Sequence, residues 1–293
     1  MNEDTAHLDL VSIIRNLAIG SGDVVFVSVD MGNLPLPKMA FEISRAGFME
    51  IRDRYCAYVL DSLLDVIGDS GTLLVPTYCK SYGRHGKPYH HEKTPSDVGP
   101  FSEYFRKREG VIRSLHPMTS IAGIGVNAAA ILENTGKSGY GVCSPFMRFN
   151  DYRVKFLCLG IPLPRGITYV HHLEHLYGVN HMYHKSYGYP VFKDNVLQPG
   201  PWLCFRRYLG IGIEAKMSYL EDALRENGKL LEFRKSPYIM QSTTVGDVDR
   251  IAIEMLKVDS CAFLEKPIEV HMDDPGLPPP ETMASSVLYS SSE

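Results

Sequence analysis

The sequence predicts an α/β fold in which helices cover both faces of a largely parallel sheet. Short, almost wholly apolar runs of strand length recur along the chain, and such runs are typical of strands buried on both faces. They alternate with amphipathic segments of helical period, which is the pattern of a three-layer α/β/α domain. With 293 residues, 44% of them hydrophobic, the chain can bury such a core without disulfides or structural metals.

The chain opens with a predicted helix followed by a predicted strand. Apolar side chains recur every three or four positions over residues 7–18, so this segment is predicted to be a helix that ends before Gly20. Residues 23–30 form an apolar run rich in β-branched side chains, which predicts the first buried strand.

The next elements repeat this order. Residues 52–67 have an amphipathic helical pattern that Gly68 ends. Residues 71–77 form a second buried strand, which ends at Pro76 because proline cannot donate a ladder hydrogen bond. The other elements predicted in this half of the chain are helices at 100–108 and 127–132 and a third strand at 154–159.

Beyond Tyr187 the pattern is less regular. Residues 248–256 are a further helix candidate, and residues 262–270 are a strand-like piece. A single α/β domain is therefore predicted over residues 1–272. Residues 273–293 are rich in proline and serine and are predicted to be an unpacked tail.

Composition and charge exclude several classes of protein. The 30 basic and 34 acidic residues give a net charge of −4, without the basic excess of nucleic-acid-binding proteins. No stretch reaches the roughly 18 to 20 apolar residues that span a bilayer, and the acidic amino terminus lacks a secretory signal. The six cysteines are scattered, as in reducing compartments. We expect a cytoplasmic protein that binds neither nucleic acid nor membranes.

A cluster of histidines follows the third predicted strand. His171, His172, Glu174 and His175 lie in one short segment, with His181 and His184 close behind. A strand that runs through a short loop into a helix places such residues at the carboxyl edge of the sheet, where α/β proteins bind ligands. On a helix, residues three and four positions apart share one face, so His171, Glu174 and His175 are expected to be neighbours.

Three interpretations of this cluster stay open from the residues alone. The order His-x-x-Glu-His matches an inverted zinc-peptidase pattern, in which His171 and His175 would hold zinc, Glu174 would activate water and a distant acid such as Glu254 would complete the site. Alternatively, His171 accepts a proton from a nucleophile without a metal, and Glu174 positions a group or holds charge. The third interpretation is a polar helix start without catalytic function.

A second group of polar residues lies between Arg113 and Gly125. Arg113, Ser114, His116 and Ser120 offer several donors in a short span, and Pro117 makes the residue before it extended. Such a segment is typical of an anion site or of a turn that caps the next helix.

This second segment resembles the Arg-Ser-x-His-Pro-x-x-Ser run of the aminoglycoside 3-N-acetyltransferase family, whose fold is unrelated to that of GNAT acetyltransferases. Further pieces similar to that family follow one another in the same order over about residues 8–190. They are residues 22–24, 71–77, 94–96, Gly99, 108–111, 144–146, 159–160 and 168–174. Several motifs in register are more specific than any one of them.

The resemblance implies a three-layer α/β/α sandwich of the antibiotic acetyltransferase type and acetyl transfer from acetyl-CoA to an amine. It implies that His171 is the general base, assisted by Glu174, with no metal. The candidate coenzyme-binding residues are Ser28, Thr77, Arg113, Ser114, His116, Pro117, Ser120 and Ala122.

One segment also matches the GNAT family, and we reject that match. Residues 207–212 read Arg-x-x-Gly-x-Gly, as in the GNAT pyrophosphate loop. The alternating apolar positions Phe205, Ile211 and Ile213 instead predict a strand or an irregular hairpin.

The residues around the histidine cluster predict the class of acceptor. Drug-modifying members of the family carry a His-Ser-Ser-type loop after the first strand, of which only Ser28 is present here. Nearby loops contain histidine, tyrosine and lysine, whereas a polycationic drug would need concentrated acid. We therefore expect an amino-sugar acceptor that carries negative charge, such as a nucleotide-linked sugar in surface-polysaccharide synthesis. The candidate acceptor-binding residues are His90, His172, Tyr183 and Lys185.

Three alternatives stay open beside this interpretation. They are a zinc-dependent hydrolase built on the His-x-x-Glu-His segment, an aminoglycoside-modifying resistance enzyme, and a catalytically inactive module that retains the coenzyme groove. The sequence leaves the oligomeric state open, and a homodimer is compatible with it.

Overall fold

The computed structural model describes residues 8–35, 47–208 and 213–267. Its helices are α1 (Leu10–Asn16), α2 (Phe48–Ile67), α3 (Lys80–His85), α4 (Pro100–Arg106), α5 (Ala128–Leu132), α6 (Leu163–Gly166), α7 (Val170–Tyr177), α8 (Ser218–Glu226) and α9 (Val245–Val258). Its strands are β1 (Val24–Val29), β2 (Thr72–Pro76), β3 (Tyr89–His90), β4 (Ile112–Arg113), β5 (Ile121–Gly125), β6 (Lys155–Leu159), β7 (Met182–Tyr187), β8 (Val191–Lys193), β9 (Val196–Gln198), β10 (Trp202–Arg207), β11 (Leu231–Lys235) and β12 (Tyr238–Thr244).

The central sheet has seven strands in the order β11-β12-β6-β1-β2-β5-β4. Its three middle strands are parallel, with Phe26 of β1 opposite Leu74 of β2 on one side and Phe156 of β6 on the other. The outer strands β5, β4, β12 and β11 pair antiparallel to their neighbours. The sheet is therefore mixed, and its parallel centre consists of the three strands predicted from the sequence.

Helices cover both faces of this sheet, because successive side chains of a strand point to opposite faces. Val25 and Val27 of β1 belong to one buried cluster with residues of α1, α2 and α4. Val24 and Phe26 belong to a second buried cluster with residues of α5, α7, α8 and α9. The predicted three-layer α/β/α fold is confirmed.

Aromatic side chains fill the layer between the sheet and α7. The ring of Phe149 lies 5.5 Å from Phe26, 5.3 Å from Phe146 and 5.7 Å from Tyr169, with the last pair stacked. Phe26 lies on the central strand β1, and Tyr169 directly precedes α7. This cluster therefore fixes the start of α7 against the middle of the sheet.

Two small sheets lie outside the central one. Strands β7 and β10 pair antiparallel over six residues each, from Trp202 opposite Tyr187 to Arg207 opposite Met182. We refer to this pair as the ribbon. Strands β3, β8 and β9 form a three-stranded sheet.

Two sequence-based expectations need correction. Residues 261–264 form a turn rather than the beginning of a strand over 262–270, and Leu264 makes only an isolated bridge to Ala215. Residues 121–125, for which no strand was predicted, form β5. A Cβ at Gly123 would lie 2.8 Å from both Leu132 and Leu74. Glycine at this position therefore lets α5 pack close to the strand. The predicted tail over 273–293 lies outside the described residues.

Within the described ranges, we find no helix that combines the length and the apolar character needed to cross a membrane.

Replacing Phe149 with alanine is expected to lower the free energy of unfolding by about 3–5 kcal/mol, because a fully buried ring at the centre of the aromatic cluster leaves a cavity. Urea denaturation measures this. Val258→Ala is the control: the side chain is 90% exposed, and the expected change is below about 0.5 kcal/mol. Similar effects of both substitutions would contradict this account of the core.

Candidate active site

The chain enters the site through a turn that requires glycine. Gly160 directly follows β6 with a φ of +69°, and a Cβ there would lie 2.5 Å from the carbonyl oxygen of Asp30. After this turn come the short α6 and then α7, and Tyr169, which directly precedes α7, packs on Phe149 and Phe156. The position of the histidine cluster at the carboxyl edge of the sheet stays a prediction.

His171 and Glu174 form a close pair on α7. The Nδ1 atom of His171 lies 2.5 Å from Oε2 of Glu174, as their spacing of three residues predicts. The Glu174 side chain is fully buried, whereas that of His171 is 28% exposed. Because an ionised carboxylate only accepts hydrogen bonds, Nδ1 donates and Nε2 carries the lone pair. His171 is therefore oriented as a base whose free nitrogen is Nε2.

Glu174 has a second partner on its other oxygen. The Nε2 atom of His181, also buried, lies 3.3 Å from Oε1. Burial alone would raise the pKa of Glu174, but the charge and hydrogen bond of His171, the hydrogen bond of His181 and the charge of Arg207 outweigh it and hold that pKa at about 2. Glu174 is thus ionised throughout the physiological pH range.

His172 is buried, and its contact with the acceptor stays a prediction. Its side chain is 2% exposed, its Nδ1 lies 2.6 Å from the carbonyl oxygen of Tyr140, and its ring packs on Phe146 and Tyr169. Successive side chains on a helix point about 100° apart. His172 therefore lies in the aromatic cluster while the neighbouring His171 is partly exposed. The same contact brings the Tyr140 ring to 5.6 Å from that of His171.

The zinc-hydrolase hypothesis is not supported by the position of His175. Its ring packs against His184 at 4.6 Å and Phe205 at 5.1 Å, whereas the Nδ1 atom of His171 is held by Glu174. Burial, followed by the charge of His184, lowers the pKa of His175 to about 4. In the described part of the chain, no three histidine, cysteine, aspartate or glutamate side chains converge in a way that could hold a metal ion.

The side chains of the Arg113 segment form hydrogen bonds with other groups of the protein. This corrects the expectation that their donors are free to bind a ligand. Arg113 donates from Nε to the hydroxyls of Thr77 and Ser120, both at 3.1 Å, and from Nη1 to the carbonyl of Thr94 at 2.9 Å. Its Nη2 donates to the carbonyl of Thr77. These buried bonds join the end of β2 to the start of β5, because the two strands are antiparallel.

The other residues of this segment are also buried. Ser114 accepts the N–H of Ile121, the carbonyl of Pro117 accepts the N–H of Cys79, and Ala122 pairs with Val75 inside the sheet. His116 has Thr119 at 2.9 Å on Nδ1 and the carbonyl of Leu203 at 3.0 Å on Nε2.

Ser28, at the end of β1, donates to the carbonyl of Gly166 at 2.8 Å and so joins the first strand to α6. Contact of these eight predicted residues with a coenzyme stays a prediction.

An open cleft of about 720 Å³ adjoins the Arg113 segment. Its lining includes the cations Arg106, Arg113 and Lys193 together with three acidic side chains. Arg106 is paired with Glu103, whereas we find no ion pair of Lys193 in the described ranges. Lys193 shares this cleft with Glu92, Glu133 and Asp194.

The other three candidate residues for binding the acetyl acceptor lie in two different places. Tyr183 and Lys185 lie half-buried on the ribbon, where the Tyr183 ring stacks on Tyr208 at 4.7 Å and Nζ of Lys185 lies 5.4 Å from the centre of the Tyr187 ring. His90 instead stacks on Phe192 in the small sheet. Its neighbour His91 contacts the carbonyl of Arg113 at 2.7 Å, so His90 lies with the Arg113 segment rather than with α7.

Sequence reasoning assigned no role to three residues that surround the dyad: His181, Tyr140 and Arg207. His181 was visible as a histidine close behind the cluster, but it lies beyond the helix. The chain reverses at Gly178, whose φ is +77° and whose N–H bonds to the carbonyl of Glu174. Only this turn brings His181 back to the carboxylate.

With this geometry in place, comparison with known proteins decides the family. The family model of aminoglycoside 3-N-acetyltransferases matches residues 43–262, more than half of the chain. The chain belongs to the aminoglycoside 3-N-acetyltransferase family. Family membership does not support the zinc-hydrolase hypothesis.

Two curated relatives show the extent of the similarity. Aminoglycoside N(3)-acetyltransferase III of Pseudomonas aeruginosa is 28% identical over 154 residues, which cover 46% of this chain and 56% of that protein. Aminoglycoside N(3)-acetyltransferase VII of Streptomyces paromomycinus is 28% identical over 155 residues, covering 46% and 54%. The chain thus spans about half the length of the curated relatives it matches.

Solved structures share the fold at low sequence identity. The aminoglycoside acetyltransferase AAC(3)-IVa apoenzyme superposes with a TM-score of 0.69 at 19% identity, over 88% of this chain and 90% of that one. The binary complex of AAC-IIIb with CoASH has a TM-score of 0.69 at 18% identity, over 88% and 97%. The antibiotic acetyltransferase type of sandwich is therefore confirmed.

The free energy of unfolding is expected to decrease as the pH falls from about 6.5 to about 4, and His116 contributes to this decrease. Burial lowers the pKa of His116 to about 4, although its hydrogen bond to the carbonyl of Leu203 acts in the opposite direction. In that window the unfolded chain binds a proton that the folded protein excludes. His116→Gln is expected to reduce the slope of stability against pH by up to about 1.4 kcal/mol per pH unit. Urea denaturation at a series of pH values measures it, and an unchanged slope would contradict the assignment.

Proposed function

We propose that the chain is an N-acetyltransferase that moves the acetyl group of acetyl-CoA to an amino group of an amino sugar. The observation that carries this proposal is the partly exposed His171, whose Nδ1 is held by the buried carboxylate of Glu174. Family membership supports the reaction class, since the curated relatives are named N(3)-acetyltransferases.

The chemistry needs a neutral imidazole. A protonated amine has no lone pair with which to attack a carbonyl carbon, so His171 first accepts one of its protons on Nε2. The amine nitrogen then bonds to the acetyl carbon, the C–S bond breaks, and the electron pair leaves on sulfur, which takes the proton held by His171. The acylated nitrogen releases its second proton to the neutral His171, from which it passes to solvent. Acetyl-CoA supplies the activated thioester. Glu174 stabilises the imidazolium formed in between and keeps the ring in the required tautomer.

We infer direct transfer between the two bound substrates rather than a covalent acyl-enzyme. No cysteine neighbours His171 or Glu174 in the sequence. The dyad is instead arranged for proton transfer, because its free nitrogen faces outward while the carboxylate is enclosed.

His171→Ala is expected to lower kcat by on the order of 10²- to 10⁴-fold while CoA still binds, because the base is lost and the coenzyme contacts are elsewhere. Thiol release measures turnover and calorimetry measures CoA affinity. His85→Ala, an exposed histidine on α3, is the matched control and should retain activity. Full turnover of the His171 variant would remove it from the mechanism, and CoA binding without thiol release in the unaltered protein would favour an inactive binding module.

We further propose that the acceptor carries negative charge, as a nucleotide-linked amino sugar does, in surface-polysaccharide synthesis. The ribbon supports this, because its strands contain Lys185, Arg206 and Arg207 but no aspartate or glutamate. Arg207 lies near enough to Glu174 to lower its pKa, so the ribbon approaches the dyad. The alternative, an aminoglycoside-modifying enzyme, is favoured by the names of the relatives.

Kinetics with matched acceptors separate these two substrates. We expect a higher kcat/KM for nucleotide-linked amino sugars than for aminoglycosides. Lys185→Met should lower kcat/KM for the nucleotide-linked acceptor about tenfold, since a charge-assisted hydrogen bond is lost. Lys185→Arg retains the charge and should retain most activity. Faster turnover of aminoglycosides, unaffected by Lys185→Met, would identify the resistance enzyme instead.

A further inference from the structure

Glu174 is held from both sides by histidines, and only one of them can meet a substrate. His171 occupies Oε2 and is partly exposed, whereas His181 occupies Oε1 and is fully buried. A substrate therefore cannot reach His181, and any effect of this residue on the reaction has to pass through Glu174.

The bonding of His181 argues against simple space filling. Its Nε2 donates to the carboxylate at 3.3 Å, while its Nδ1 is buried and has no hydrogen-bond partner in the described ranges. A buried polar atom without a partner is costly, and an apolar side chain at this position would avoid that cost. The His181 side chain thus carries the cost of an unpaired Nδ1, and the bond that it makes in return is the one to Glu174.

We propose that His181 is a positioning residue that sets the basicity of His171 through Glu174. The proposal rests on the proposed function, in which His171 is the base. By donating to Oε1, His181 draws negative charge away from Oε2 and fixes the plane of the carboxylate. The negative charge that the Nδ1–H of His171 meets on Oε2 is thereby set in part by His181.

Other aromatic, charged and titratable side chains also lie near His171 and Glu174. The ring of Tyr140 packs edge-on against His171 from the loop after α5, and the charge of Arg207 acts on Glu174 from β10. His175, on α7 itself, is directed to His184 of β7. None of these replaces the hydrogen bond on Oε1, so removing that bond should alter the titration of His171.

Two substitutions of His181 distinguish the effect of its hydrogen bond to Glu174 from the effect of its shape. His181→Gln can place an amide nitrogen near the position of Nε2 and retain the donor. His181→Asn is one carbon shorter, stays polar and cannot reach Oε1. The His171 imidazole is titrated by NMR without substrates, the pH profile of kcat/KM is recorded with acetyl-CoA and the best acceptor, and the melting temperature of each variant is measured.

In the Asn variant we expect the pKa of His171 and the acidic limb of the kcat/KM profile to move to higher pH by on the order of one pH unit. Turnover lost at neutral pH should return at higher pH, and the Gln variant should titrate like the unaltered protein. Equal titrations in all three proteins, or equal shifts in Gln and Asn, would overturn the proposal. Because the NMR titration needs no turnover, failure of the acetyltransferase proposal would be seen separately, as absent thiol release.

Discussion

The negative charge of Glu174 is completely buried, and the arrangement around α7 follows from the need to compensate it. A carboxylate without water is stable only if hydrogen bonds or opposite charges replace its hydration. Here two imidazoles occupy its two oxygens, and Arg207 contributes charge from the ribbon. These three partners come from the helix, from the turn after it and from a strand far along the chain, so the charge couples all three segments.

The packing around α7 serves the same constraint. Glu174 keeps its partners only if α7 keeps its orientation, and the aromatic cluster packs against the start of this helix. His172 fixes α7 to the Tyr140 segment, and Tyr169 fixes its start to Phe149. His172 is thus enclosed in the core, whereas the neighbouring His171 is partly exposed. The two histidines differ in their surroundings because successive side chains on a helix point in different directions.

The Arg113 segment shows how a family motif can serve the fold. Its donors were expected to face a ligand, yet Arg113 ties β2, β5 and the Thr94 loop together through buried hydrogen bonds. Such a network keeps the carboxyl edge of the sheet in a single conformation.

By itself, the sequence determined the layered fold, its three central strands and the pairing of His171 with Glu174. These features depend on local signals: apolar runs, helical period, and a spacing of three residues within one helix. The antiparallel outer strands, the burial of His172 and the position of His90 depend on which segments meet in space. So does the return of His181 to Glu174, which takes place through the reversal at Gly178. Only the tertiary structure decided these, because a hydrogen bond between a helix and the chain beyond its end has no periodic signature in the sequence.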